Sequence, residues 1–219
     1  YRHKDNRYDG WVTEFVANLR KELESTFKED ISIYFDENLH DGLSDTHDVD
    51  ASLQDKVKCL VFIPIVSRTY CDPNSFAWKN ELLAFHDFAS RDKYGPKIKV
   101  ANGNTCSRIL PVRIHELDSE DLELFSKHTG GIIRPVDFVY RTAGVNRPLR
   151  AHEDEPKENQ NHVFYRDQIN KVSNTAKDII TSMKVPKQGA VKSTMPDTQA
   201  SPGAMRVPSR KVGIAAALL

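Results

Sequence analysis

Residues 59–66 read Cys-Leu-Val-Phe-Ile-Pro-Ile-Val, eight residues without a polar side chain. An unbroken apolar run of this length, in place of an alternating one, is typical of a strand buried on both faces. Pro64 cannot donate a backbone hydrogen bond, so we expect it where the ladder needs no donor, near the end of the strand. The run predicts a central strand of a parallel sheet.

Strand-like and helical segments alternate on both sides of this run. The predicted strands are residues 31–35, 59–66, 109–114 and 132–140, and the predicted helices are residues 11–23, 51–58, 72–88, 119–128 and 169–183. Such alternation implies βαβ units and a parallel sheet with helices on both faces. Ligands bind such sheets at the carboxyl ends of the strands, so we look for function in the loops that follow them.

Composition excludes several classes of protein. The 219 residues suffice for one sizeable core, and 31 Lys plus Arg balance 31 Asp plus Glu, without the basic excess of a nucleic-acid-binding protein. Three widely spaced cysteines form no CxxC pair, which argues against zinc ribbons and thioredoxin chemistry and fits buried free thiols. The histidines form no HxxxH or HExxH pattern, so we predict no metal site.

The character of the chain changes after residue 184. Residues 1–184 are periodic and form the predicted domain, whereas residues 185–211 are rich in Pro, Gly, Ser and Thr and are predicted to be a flexible linker. Residues 212–219 are apolar and follow Arg210-Lys211. They are too short to cross a bilayer, and we interpret them as the start of a membrane-spanning helix that continues beyond Leu219. The basic residues before them would place the domain in the cytoplasm.

Four motifs follow one another in a characteristic order. They are Tyr1-Arg-His-Lys-Asp5, then Phe35-Asp-Glu-Asn-Leu-His-Asp-Gly42, then the apolar run with Ser67 and Tyr70 after it, then Trp78-Lys-Asn-Glu-Leu82. In order and spacing they resemble the Toll/interleukin-1 receptor (TIR) family, bacterial type, over nearly all of residues 1–184. The resemblance implies a flavodoxin-like three-layer α/β fold with a central parallel sheet of about five strands. The first strand would lie upstream of Tyr1.

The resemblance also implies chemistry. Many TIR domains hydrolyse NAD between nicotinamide and ribose, and Glu81 falls on the position of their catalytic glutamate. By the same resemblance and by position, Arg2 and His3, Ser67 and Tyr70, and Trp78 are the expected substrate-binding residues. NAD would be the substrate, and no cofactor is expected. Trp78 lies three residues before Glu81, where the family motif has its Trp four before.

Four of these residues also have a plainer interpretation. Glu81 alone is an ordinary helix carboxylate, Arg2 a solvated loop charge, and Ser67 a helix cap. Trp78 is also typical of a core or interface residue.

The predicted loop 36–48 corresponds to the BB loop of the family. Asp41, Gly42 and Leu43 are its expected assembly residues, and the loop carries five acidic side chains with only two histidines as cations. Two copies of such an acidic loop would repel each other, which disfavours a symmetric loop-to-loop dimer. We therefore expect head-to-tail assembly with other TIR domains. A sensor domain is expected in the missing C-terminal part.

Two further functions compete with a signalling or defensive NAD hydrolase. A non-catalytic TIR scaffold would only assemble with other TIR domains, and the shifted Trp78 favours it slightly. A response-regulator-like protein would need a phosphoacceptor Asp after the central strand, where this chain has Ser67.

Overall fold

The structure, a computed structural model, describes residues 1, 3–7, 10–35, 56–131, 134–153 and 164–184, with only the backbone of His3 and Lys4. The chain divides into two compact units, Tyr1–Pro186 and Lys187–Leu219, and every described residue lies in the first. The predicted loop 36–48, most of the predicted helix 51–58, the predicted linker 185–211 and the apolar residues 212–219 lie outside the described residues.

The described part is a mixed α/β fold. Its helices are α1 (His3–Arg7), α2 (Trp11–Thr26), a π-helix (Ala77–Leu83) that continues directly into α3 (Ala84–Arg91), α4 (Ser119–His128) and α5 (Tyr165–Lys184). Its strands are β1 (Ile65–Val66), β2 (Lys97–Lys99), β3 (Thr105–Ser107), β4 (Val112–Arg113), β5 (Val136–Asp137), β6 (Val139–Thr142) and β7 (Val145–Pro148).

Three of these strands form a small parallel sheet in the order β1-β4-β5. Ile65 is in register with Val112, and Val112 with Val136. All three strands therefore end at one edge, where the loops that follow them meet.

Pro64 shortens β1 by breaking its ladder from within. Hydrogen bonds join residues 62–66 to residues 108–114 on both sides of Pro64, and the carbonyl of Pro64 accepts from the Val112 N–H at 2.9 Å. Because the prolyl nitrogen carries no hydrogen, the complementary bond toward β4 is missing at that point. Pro64 directly precedes β1 (Ile65–Val66), so its expected place near the end of the strand is confirmed, but the expectation that no donor is needed there is wrong. Pro111 occupies the matching place in the neighbouring chain segment.

The apolar run is covered on both faces, as its composition predicts. Val61, Ile63 and Ile65 pack into one hydrophobic cluster, while Cys59, Phe62 and Val66 pack into another. The first cluster is built with α2 and α5, and the second with the π-helix, α3 and α4. From Val61 to Val66, the odd-numbered and even-numbered side chains therefore point to opposite faces, as in an extended strand.

The periodic segments are confirmed as helices. Trp11, Phe15, Leu19 and Leu23 form the buried face of α2. The predicted stripe of α5 is buried throughout, and its core residues include Ile169, Val172, Ala176, Ile179 and Met183. Among the described residues, no helix is long and apolar enough to cross a membrane.

The predicted strands at residues 31–35 and 132–140 differ from the structure. Residues 31–35 alternate between half-buried and exposed side chains, but they form no ladder with any described strand. Of residues 132–140, Ile132 and Ile133 lie outside the described residues, and the remainder divides between β5 and β6. Of the predicted helix 51–58, Lys56 is helical and Val57 lies in a turn.

The structure also contains two antiparallel hairpins, whose pairing the sequence does not predict. β2 pairs with β3, and β6 pairs with β7 through a turn at Gly144. Gly144 has φ of 75°, a conformation that favours glycine.

Candidate functional site

The carboxyl edge of the parallel sheet carries a cavity. Ser67 directly follows β1, and His115 lies two residues beyond β4, so both belong to loops that leave this edge. The cavity has a volume of about 270 Å³. It is lined by Asp5, Ser67, Arg68, Thr69, His115 and Asn146. This is where an open α/β sheet binds its ligands.

A carboxylate from α1 fills part of this cavity. The Ser67 hydroxyl donates to Asp5 Oδ2 at 2.7 Å, and the Thr69 hydroxyl donates to Asp5 Oδ1 at 3.2 Å. The Ser67 oxygen also accepts from the Tyr70 N–H at 3.2 Å, which is the capping role that its position allows. Ser67 is buried, so its hydroxyl is held in one place by these three residues.

Asn6 fixes α1 against the rest of the fold. Its side-chain oxygen accepts from the N–H groups of Val12 and Thr13, at 2.9 and 3.2 Å, and its amide donates to the Thr13 hydroxyl at 3.0 Å. The first N–H groups of a helix have no partner within the helix, so Asn6 satisfies donors at the start of α2. Asn6 thereby places its neighbour Asp5 over the end of β1.

The other lining residues present donors. The Arg68 Nε donates to the Glu116 carbonyl at 3.1 Å, and the guanidinium is otherwise exposed. Asn146 accepts the Glu116 N–H on its side-chain oxygen at 2.8 Å, which leaves its NH₂ as its second polar group. Burial lowers the pKa of His115, Asp5 opposes this shift and Arg68 adds to it, so the imidazole is neutral near pH 7. Its buried Nδ1 has no hydrogen-bond partner among the described residues.

Glu81 stands on the π-helix. A π-helix is rare, and its short insertions occur frequently at functional sites. The Glu81 side chain is 23% exposed, and its Oε2 lies 3.3 Å from the backbone nitrogen of Tyr1. The Tyr1 ring packs on Phe35 with centroids 5.6 Å apart.

Tyr70 and Trp78 lie behind Glu81 in the core. Both are fully buried, and their rings are 6.2 Å apart between centroids. The Tyr70 hydroxyl and Trp78 Nε1 find no hydrogen-bond partner among the described residues. Burial raises the pKa of Tyr70, and the nearby Glu81 raises it further. Trp78 also contacts Phe125 and His128, so stacking on a substrate would require the indole to move.

The predicted site residues therefore fall into three groups. Ser67 lines the cavity at the sheet edge, while Tyr70 and Glu81 are electrostatic neighbours beside Trp78. Arg2, Asp41, Gly42 and Leu43 lie outside the described residues, as does the side chain of His3. Their roles stay predictions.

Sequence analysis missed most of the cavity. It singled out Ser67 but not Asp5, Arg68, Thr69, His115 or Asn146 as members of one site. The available signal was position, since Arg68, Thr69 and His115 follow predicted strands. Asn146 belongs to a hairpin whose strands show no alternating apolar pattern.

A second cavity, of about 300 Å³, lies between α2 and α5. Its lining includes Asn18, Glu22 and Tyr165. Glu81 is not among the described residues that line either of these two cavities.

The thiols are unsuited to nucleophilic chemistry. Burial raises the pKa of Cys59 to about 11 and that of Cys71 to about 12, so both remain protonated at neutral pH. Across the part of the chain that the structure describes, no group of three or more His, Cys, Asp or Glu side chains is arranged to hold a metal ion.

Comparison with known proteins adds no relative. The chain matches no protein-family model, no curated protein sequence and no solved structure.

Proposed function

We propose that this chain is a TIR-type signalling or defence domain that converts NAD to nicotinamide and ADP-ribose or a cyclic form of ADP-ribose. The observation that carries the proposal is the setting of Glu81. It is a partly exposed carboxylate on a π-helix, next to a buried tyrosine whose hydroxyl has no described partner. NAD is proposed as the substrate because the sequence around Glu81 resembles that of TIR enzymes.

The reaction needs little from the protein beyond charge and position. When the bond between ribose C1′ and the nicotinamide nitrogen breaks, its electron pair neutralises the pyridinium, so no acid is required. The ribose develops oxocarbenium character and is attacked by water, which loses a proton. A carboxylate beneath the ring, or one that holds the ribose hydroxyls, stabilises that charge. Glu81 would have this role.

The finer fold belongs to the same proposal. A flavodoxin-like sheet has the order 2-1-3-4-5, and β1-β4-β5 would be its strands 3, 4 and 5. Residues 31–35, with alternate side chains turned to the core, would be the second strand. The first strand would precede Tyr1 and lie between them.

Replacing Glu81 by glutamine should lower the rate of nicotinamide release from NAD at least about 100-fold, the order of loss seen when one transition-state charge contact is removed. The substitution keeps the shape of the side chain, and Glu81 is partly exposed, so the free energy of unfolding should stay within about 0.5 kcal/mol. The measurement is chromatographic quantification of nicotinamide with protein concentrated on beads.

Glu123 provides the matched control. It is an exposed glutamate on α4, and Glu123→Gln should leave turnover unchanged. Wild-type turnover in the Glu81→Gln variant would remove Glu81 from the mechanism, and a wild-type protein inactive even when clustered would favour the scaffold.

Assembly is the proposed means of control. We expect copies of the domain to associate head to tail, with the segment around Gly42 and Leu43 completing the neighbour's site. Nicotinamide release per molecule should then rise with protein concentration and fall with added salt, because contacts at a charged rim are screened. Turnover per molecule that is constant from nanomolar to high micromolar protein would show that one copy holds a complete site.

A non-catalytic TIR scaffold is the second candidate. Two observations favour it: Trp78 is a core residue, and Glu81 lines neither cavity. A scaffold would show the same dependence of association on concentration and salt without releasing nicotinamide.

A further inference from the structure

The cavity at the sheet edge is built from donors around a single carboxylate. The hydroxyls of Ser67 and Thr69 donate hydrogen bonds to the Asp5 carboxylate, and Arg68 supplies a cation at the rim of the cavity. The Asn146 carbonyl oxygen already accepts from Glu116, so its NH₂ is the group left for the cavity. Among the residues that the structure describes, Asp5 is the only carboxylate that lines the space.

This arrangement is what a bound oxyanion requires. Phosphate binds where hydroxyls, amides and a guanidinium converge, and arginine matches its geometry with paired donors. Asp5 satisfies two of these donors with its two oxygens. The space of about 270 Å³ extends beyond that carboxylate to Arg68, His115 and Asn146.

We propose that this cavity binds a phosphate group, free or esterified, and that Asp5 occupies it as an internal substitute. An incoming phosphate takes over the hydroxyls of Ser67 and Thr69 and pairs with Arg68. The Asp5 carboxylate then leaves, and the contact of α1 with the loop after β1 is released. The site would act whether or not the chain hydrolyses NAD.

His115 gives a direct readout of occupancy. Its imidazole lines the cavity, and the charged groups that act on it are Asp5 on α1 and Arg68 on the loop after β1. A phosphate carries more negative charge than the carboxylate that it displaces, so the pKa of His115 should rise on binding.

The test is a titration with inorganic phosphate, and with glycerol phosphate beside it, against sodium chloride at equal ionic strength. We expect saturable heat of binding to the wild-type chain, together with an upward shift of the His115 pKa measured by NMR. Asp5→Asn should bind at least about tenfold more tightly, because it removes a like charge from the cavity. Arg68→Ala should bind at least about tenfold more weakly.

Asp87→Asn is the control, since Asp87 is an exposed carboxylate on α3 that pairs with Arg91. This variant should bind inorganic phosphate and glycerol phosphate with the same affinities as the wild-type chain. Asparagine at position 5 keeps an acceptor for the Ser67 hydroxyl, so α1 should remain in place. Absence of saturable binding of either phosphate by both the wild-type chain and Asp5→Asn overturns the proposal, as does equal affinity in Arg68→Ala. The wild-type titration alone decides the matter if a variant fails to fold.

Discussion

Arg108→Met is expected to lower the free energy of unfolding by about 3–5 kcal/mol, the usual cost of breaking a buried ion pair from one side. The Arg108 side chain is 1% exposed, and its Nη1 lies 2.5 Å from Asp92 Oδ2. Its other donors satisfy three backbone carbonyls, those of Leu60, Gly95 and Cys59, at 2.9, 3.2 and 3.1 Å. Methionine fills a similar volume but removes the Arg108 donor from each of these acceptors.

The aromatic surroundings of Arg108 add to this effect. The guanidinium carbon lies 5.5 Å from the Phe85 ring centre and 5.9 Å from those of Phe88 and Tyr94. Such contacts hold a cation more strongly when it is shielded from water. Arg108 thus joins the start of the apolar run to the segment that follows α3.

Urea denaturation followed by circular dichroism measures the loss. The control is Arg91→Met, since Arg91 and its partner Asp87 are both largely exposed and such pairs contribute about 1 kcal/mol or less. A loss below about 1 kcal/mol for Arg108→Met would contradict the interpretation of this pair as a structural anchor.

The contribution of the Arg108–Asp92 ion pair to the free energy of unfolding should depend on pH. Burial by itself raises the pKa of Asp92, but hydrogen bonds from Arg108 and from the Tyr94 and Gly95 N–H groups outweigh it and hold the pKa below its ordinary value of 3.8. Because the pKa of Asp92 is lowered in the folded state, the ionised carboxylate stabilises the fold at pH values above its ordinary pKa. That stability is lost as the pH falls through the folded-state pKa. The difference between wild type and Arg108→Met should therefore shrink below about pH 4.

Trp11→Ala is the second change with a large expected effect, a loss of about 3–5 kcal/mol from the cavity alone. Trp11 is 0% exposed, and its indole contacts the rings of Phe15, Phe138 and Tyr165. Its Nε1 donates to the Leu149 carbonyl at 2.7 Å, which ties the residue after β7 to α2. Alanine leaves that buried carbonyl without its donor as well.

Trp11→Phe separates the two contributions. It keeps an aromatic ring but removes the donor, so we expect a smaller loss of about 1–3 kcal/mol. Both variants are compared with wild type by urea denaturation, with hydrogen exchange at Leu149 as a local readout. Equal losses for the alanine and phenylalanine variants would show that the hydrogen bond, and not the packing, dominates.

The helices could be predicted because their apolar spacing alone determines a buried face. α2 and α5 follow from residues three and four apart, and the central strand follows from its unbroken apolar run. The π-helix could not be predicted, since its residues fit an α-helical period equally well.

The strands at residues 31–35 and 132–140 show the limit of pattern analysis. Alternating apolar residues predict an extended segment, but a ladder depends on a neighbour that lies far away in the chain. The two hairpins were missed because their short, charged strands, such as Lys97-Ile-Lys99, carry little apolar signal.

The candidate site was predictable only in part. Glu81 and Ser67 came from a resemblance and from position after a strand. The contact of Ser67 with Asp5 joins residues 62 positions apart, and no local pattern encodes such a pairing. The burial of Arg108 could not be predicted either, because an isolated arginine in a sequence usually has a solvent-exposed side chain.

Pro64 has a consequence for the chain before it folds. Apolar, β-prone segments of six or seven residues without charge or proline are the ones that stack into cross-β aggregates. Residues 59–66 meet every other condition, and they are needed for the core. A proline within them denies an approaching strand one of its hydrogen bonds, so a nascent or unfolded chain offers a poorer template for aggregation. The cost is the single ladder bond that the folded sheet lacks at Pro64.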